Sequence, residues 1–130
     1  MKKLVKNLAA GLAVASMSMA SMAYDNIYFF GDSMLDTGNA KAFSGDPAVA
    51  ERFSDGLVFP DYIADHYGVD LAPSLFLLGS EHGNNYAVGG AKSRDADGNE
   101  ATPDTNLPTQ VNTFLTYNPV VDTESIYLGR

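Results

Sequence analysis

Ile27-Tyr28-Phe29-Phe30-Gly31-Asp32-Ser33-Met34-Leu35-Asp36-Thr37-Gly38-Asn39 sets four large apolar or aromatic residues directly before Gly-Asp-Ser. A short run of this kind, closed by a glycine, suits a strand buried on both faces, as in a parallel sheet covered by helices. Ser33 then falls just past the strand, at the carboxyl edge where parallel α/β sheets collect ligands. Two readings are open there. Asp and Ser are favoured helix N-caps, so Asp32 or Ser33 can begin a helix while Gly31 makes the turn. Alternatively, a helix starting at this point aims free N–H groups at a developing oxyanion, and Ser33 is a nucleophile that still needs a base.

Working outward, the period changes near Phe59. Phe59, Tyr62, Ile63, His66 and Tyr67 recur at helical spacing, with Pro60 at the start and Gly68 at the end, which predicts a helix over 59–67. Ser44–Asp46 is a turn cluster, and Ser74–Leu78 and Asn85–Val88 are strand candidates, the second running into Gly89-Gly90. Lys92–Asn106 is polar and rich in turn residues, so an exposed loop is expected. Pro108 opens a second amphipathic pattern through Leu107, Val111, Phe114 and Leu115, and Ser125–Leu128 is strand-like again. Alternating strand and helix patterns predict an α/β layer architecture with a largely parallel sheet.

The N-terminus reads as a targeting segment. Lys2, Lys3 and Lys6 precede an uncharged run over Leu8–Met19 that ends in Ser21-Met22-Ala23, the pattern of a secretory signal peptide cleaved after Ala23. The apolar run is shorter than the roughly 20 residues of a spanning helix. The expected organisation is a signal over 1–23 and one domain over 24–130, exported to the periplasm or the exterior. Without the signal, 16 acidic residues face five basic ones, a net charge near −11 that disfavours nucleic acid and anionic membranes as partners. There is no cysteine, so an apolar core, not disulfides or a thiolate metal site, must hold the domain.

Several segments together resemble the GDSL family of lipases and esterases, the SGNH hydrolases. FFGDSMLDTGN is similar to the first block of the family, with Met34 in place of the usual Leu. Arg52-Phe53-Ser54-Asp55-Gly56 with Tyr62-Ile63-Ala64, and Asn85-Tyr86-Ala87-Val88-Gly89-Gly90-Ala91, resemble later blocks, and Gln110-Val111 with Phe114-Leu115 looks like the helix that follows. The resemblance implies a three-layer α/β/α sandwich with a parallel sheet, incomplete here at the C-terminus. It implies that Ser33 is the acyl-accepting nucleophile and that the backbone N–H groups of Ser33 and Gly90 form an oxyanion hole, with Asp32 and Asn85 in support. It implies an ester or lipid substrate and neither metal nor cofactor.

Two further family blocks, Gly-x-Asn-Asp and Asp-x-x-His, have no counterpart. Ile63 stands three residues before His66 and Gly79 three before His82, so neither histidine fits the second pattern. His66 is expected to pack on the apolar face of its helix and His82 to lie exposed in a Gly-rich loop. The chain is therefore expected to be an N-terminal part of a longer hydrolase, inactive alone, with a C-terminal or outer-membrane region elsewhere. Two other classes stay open: a secreted binding module without catalysis, and a shortened protein completed by a partner chain. For the first, Asp95-Ala96-Asp97-Gly98-Asn99-Glu100 alternates acidic or amide side chains as calcium loops do, but an EF-hand needs glycine where Glu100 stands and a carboxylate where Asn106 stands.

Overall fold

The computed structural model describes residues 24–79, 81–94 and 104–130. The signal segment and the Asp95–Glu100 stretch lie outside them. Strand β1, Ile27–Phe30, forms where the sequence predicts it, and its alternation is visible in the packing. Ile27 and Phe29 are fully buried on one face, and Phe30 is buried on the other, as a strand covered on both sides requires. Strand β2, Ile126–Gly129, pairs with it in parallel, Ile27 opposite Ile126 and Phe30 opposite Gly129. Among the described residues, three α-helices lie between the two strands in the chain: α1 at Asn39–Ser44, α2 at Phe59–Tyr67 and α3 at Leu107–Tyr117. The architecture is α/β, a small parallel sheet with helices.

On the other edge of β1 the backbone over 84–88 runs alongside without becoming a regular strand. The Phe29 N–H donates to the Asn84 carbonyl (3.0 Å), the Tyr86 N–H to the Phe29 carbonyl (2.7 Å) and the Val88 N–H to the Gly31 carbonyl (3.1 Å). The expected strand over Asn85–Val88 is thus reduced to this line of hydrogen bonds with a single isolated bridge to β1, Phe29 with Asn85. Ser74–Leu78 is corrected more strongly. Leu75 is in the left-handed region (φ 58°) and Phe76–Leu78 form a 3-10 turn. The Leu75 N–H donates to the Asn39 side-chain oxygen at 2.9 Å, so a buried amide, not a neighbouring strand, takes the hydrogen bond that would have extended the chain.

Phe114 of α3 fixes the helix to the sheet. Its ring meets Tyr28, Phe30, Tyr86 and Tyr127 with centroids 4.7–5.7 Å apart, and Phe76 stacks on Tyr86 behind them. Such aromatic pairs add to the stabilisation from simple burial of their area. Helix α2 ends at Gly68 in the left-handed region (φ 66°), whose N–H caps the Asp65 carbonyl, as Gly at that position predicts. His66 is exposed, with its ring edge-on to Tyr67 at 4.8 Å, which corrects the expectation that it packs inward; His82 is exposed as expected. No helix among the described residues is long and apolar enough to cross a membrane.

Candidate active site

β1 delivers the chain to the edge of the sheet, and a buried side chain carries its pairing one step further. Gln110 of α3 accepts from the Gly31 N–H (2.8 Å) and donates to the Gly31 carbonyl (2.8 Å), doing for that residue what a neighbouring strand would do. Its amide also donates to the Thr105 carbonyl. Gly31 is thereby held at the strand end with both backbone groups paired, and the turn that follows starts from a fixed point.

Ser33 does not open a regular helix. Residues 32–35 form a turn in which the Asp32 carbonyl accepts from the N–H groups of Leu35 (3.1 Å) and Asp36 (3.0 Å), and α1 begins only at Asn39. The Asp32 carboxylate accepts from the Met34 N–H (3.0 Å), the local Asx bond that stabilises such a turn. The Asp32 side chain therefore closes an Asx turn and caps no helix, so the expectation of a helix starting at Asp32 or Ser33 is corrected, and Ser33 is left over. Among the described residues neither the Ser33 hydroxyl nor its N–H has a hydrogen-bond partner, and the residue is half-buried.

The second half of the site is the glycine pair after Val88. The Gly90 N–H likewise has no partner among the described residues, and at φ 88° with open space where a Cβ would point, its backbone needs glycine for conformation, not for room. What brings 88–90 beside 31–36 is Asp36, fully buried. One carboxylate oxygen accepts from the N–H groups of Gly38 and Asn39 (2.8 Å each), and the other from Ala40 (3.1 Å) and Gly89 (2.8 Å). A buried carboxylate with four such donors is compensated without a counter-cation.

Asn85 and Asn39 complete the tie. The Asn85 amide donates to the Leu35 carbonyl (2.8 Å) and the Thr37 hydroxyl (2.9 Å) and its oxygen accepts from Ala87. The Asn39 amide reaches back to the carbonyls of Asn85 (2.8 Å) and Ala87 (2.9 Å). Of the residues singled out in the sequence, Asp32, Ser33, Asn85 and Gly90 thus lie on two segments knitted into one edge. Asp36, Asn39 and Gln110 carry much of that knitting and were not singled out as site residues. No local signal marked them, since Asp36-Thr37-Gly38-Asn39 reads as an ordinary turn and Gln110 as one polar position on a helix. His66 and His82 bond to none of these groups in any described contact, and no cluster of three or more metal-ligating side chains occurs among the described residues.

A sequence-family model described as GDSL-like lipase/acylhydrolase matches residues 27–127. The chain belongs to the GDSL lipase/esterase family. Among curated relatives it is 36% identical over 131 residues to acetylajmalan esterase 2 of Rauvolfia serpentina, a match that spans 82% of this chain and 36% of that protein. It is 33% identical over 103 residues to a GDSL esterase/lipase of Arabidopsis thaliana, 66% of this chain and 30% of that one. With Lipase 1 of Photorhabdus luminescens it shares 35% identity over 85 residues, 64% of this chain and 12% of the relative. The GDSL chain thus spans about a third, or less, of the length of these relatives.

Proposed function

We propose that this GDSL chain supplies the nucleophile and two oxyanion donors of an exported serine ester hydrolase whose base lies in a further part of the protein. The observation that carries the reading is the Asp36 carboxylate, which sets the Gly89-Gly90 backbone beside the turn bearing an unpartnered Ser33 hydroxyl. In the proposed reaction the Ser33 oxygen attacks the ester carbonyl carbon while its proton passes to a base. The oxyanion is met by the Ser33 and Gly90 N–H groups, the C–O bond breaks as the proton reaches the leaving alcohol, and water then cleaves the acyl-serine by the same route. The family resemblance assigns the base to an Asp-x-x-His block and a third oxyanion donor to Gly-x-Asn-Asp, in the full three-layer sandwich. Nucleophile and base act as a unit, and losing either in a well-studied serine protease costs on the order of a millionfold. We therefore expect the 130-residue chain to be inactive alone.

The test is hydrolysis of p-nitrophenyl acetate and butyrate by the protein carried through its downstream coding sequence. Turnover is expected there, is expected to vanish in the Ser33→Ala variant, and is expected to be absent from the 130-residue chain. Unchanged turnover in Ser33→Ala would end the proposal.

A further inference from the structure

The glycine pair of the site sits in a turn. The Ala91 N–H donates to the Val88 carbonyl (3.1 Å), which makes Gly89 and Gly90 the two central residues of a β-turn. The bond that closes such a turn uses neither central N–H, so the direction of the Gly90 N–H follows the tilt of the whole turn. Its entry is fixed from β1 and Asp36: the Val88 N–H donates to the Gly31 carbonyl (3.1 Å) and the Gly89 N–H to the Asp36 carboxylate (2.8 Å). Bonds at the entry alone leave the turn free to rock about that end.

The exit is held by the start of α3. The Lys92 N–H donates to Asn106 Oδ1 (2.9 Å) and the Lys92 carbonyl accepts from the Leu107 N–H (2.9 Å), so both backbone groups of Lys92 are paired. Gln110 pairs both backbone groups of Gly31 in the same way. Gly31 stands two residues before Ser33, and Lys92 two after Gly90. Asn106 and Gln110 are both buried and lie one helical turn apart, about 6 Å along the axis. One turn of helix therefore sets the spacing between the segment that carries Ser33 and the segment that carries Gly90.

Asn106 is the N-cap of α3, yet its side chain makes no capping bond. An asparagine at an N-cap characteristically accepts from the N–H of the second or third helical residue. Here Oδ1 reaches 14 residues back instead, and Nδ2 is buried with no hydrogen-bond partner among the described residues. Asp104 stabilises the helix start in its place, accepting from the Asn106 N–H (2.8 Å) and the Thr109 hydroxyl (2.7 Å). We propose that Asn106 is a positioning residue for the oxyanion donor: by holding Lys92 it fixes the tilt of the Gly89-Gly90 turn and with it the aim of the Gly90 N–H. This inference rests on the reading of Ser33 as nucleophile and Gly90 as donor. A misaimed donor is felt when charge develops on the ester oxygen, so its loss falls on turnover and not on substrate binding.

The test uses the protein carried through its downstream coding sequence, with p-nitrophenyl butyrate as substrate and active Ser33 counted by fluorophosphonate titration. Asn106→Ser and Asn106→Gly both leave a residue tolerated at an N-cap but lose the reach to Lys92. Each is expected to lower kcat per active serine about ten- to a hundredfold, with KM within about twofold of the wild-type value. Thr109→Val removes a bond at the same helix end without touching Lys92, and is expected to leave both constants unchanged. A tie that only closed the segment between Lys92 and Asn106 would lower the urea midpoint and leave kcat per active serine as it is. Ser33-dependent turnover with that result, or with an equal loss of kcat in Thr109→Val, would overturn the positioning role and leave the hydrolase reading standing. A raised KM with unchanged kcat would overturn it too, since the lost interaction would then be one of uniform binding. Absence of any Ser33-dependent turnover in the unsubstituted protein would remove the hydrolase reading and this role with it.

Discussion

Asp36 has two carboxylate oxygens and four backbone donors, three at the start of α1 and one at Gly89. Replacing one oxygen by an NH2 group sets a donor against donors and leaves buried N–H groups unsatisfied. Asp36→Asn is therefore expected to destabilise the fold by about 2–3 kcal/mol, read as a lower urea midpoint with unchanged slope. A variant with the wild-type midpoint would show that the Gly89 tie carries no weight. Ser33 and Gly90 could be singled out in the sequence because they stand at recognisable places in family blocks. Asp36 and Asn39 were not, because a polar letter names what a side chain can bond to and not which backbone groups folding brings to it.

At the scale of elements, the segment between α1 and α2 has no regular structure and depends on the Arg52–Asp61 pair. The hydrogen bonds from Arg52 hold the Asp61 carboxyl below the usual carboxylate range, against the opposing effect of its partial burial. A carboxyl whose folded-state value is depressed adds stability above its unfolded value, about 4, and loses it as pH falls through the lower folded value. Asp61→Asn is expected to cost about 1–2 kcal/mol at neutral pH, and the gap between variant and wild type should close on acidification below that range. Denaturation curves at neutral and acid pH measure it, and a gap independent of pH would refute that dependence. Strand β1, helix α2 and helix α3 were readable from period and punctuation, since Pro60, Gly68 and Pro108 mark ends that backbone chemistry enforces. Ser74–Leu78 was not. Its apolar run reads as a strand, but Asn39, 36 positions away, takes the Leu75 N–H and turns the chain.

For the whole molecule, the charged start and small-residue cleavage pattern predict export with removal of residues 1–23. N-terminal sequencing of the secreted form should begin at Tyr24, and any other start would refute the assignment. The sequence by itself determined the α/β class, the main helices, the lack of disulfides and the family, because periodicity, Gly and Pro punctuation and block order are local properties of the chain. Tertiary structure alone decided that Asp36, Asn39 and Asn85 lock two distant segments into one edge. It also decided that Gln110 extends β1 beyond its last strand residue and that Asn106 ties Lys92 to the start of the same helix. Each of these rests on groups dozens of residues apart meeting within hydrogen-bond or van der Waals distance, and such meetings are set by packing around Phe114 and β1, not by any local pattern.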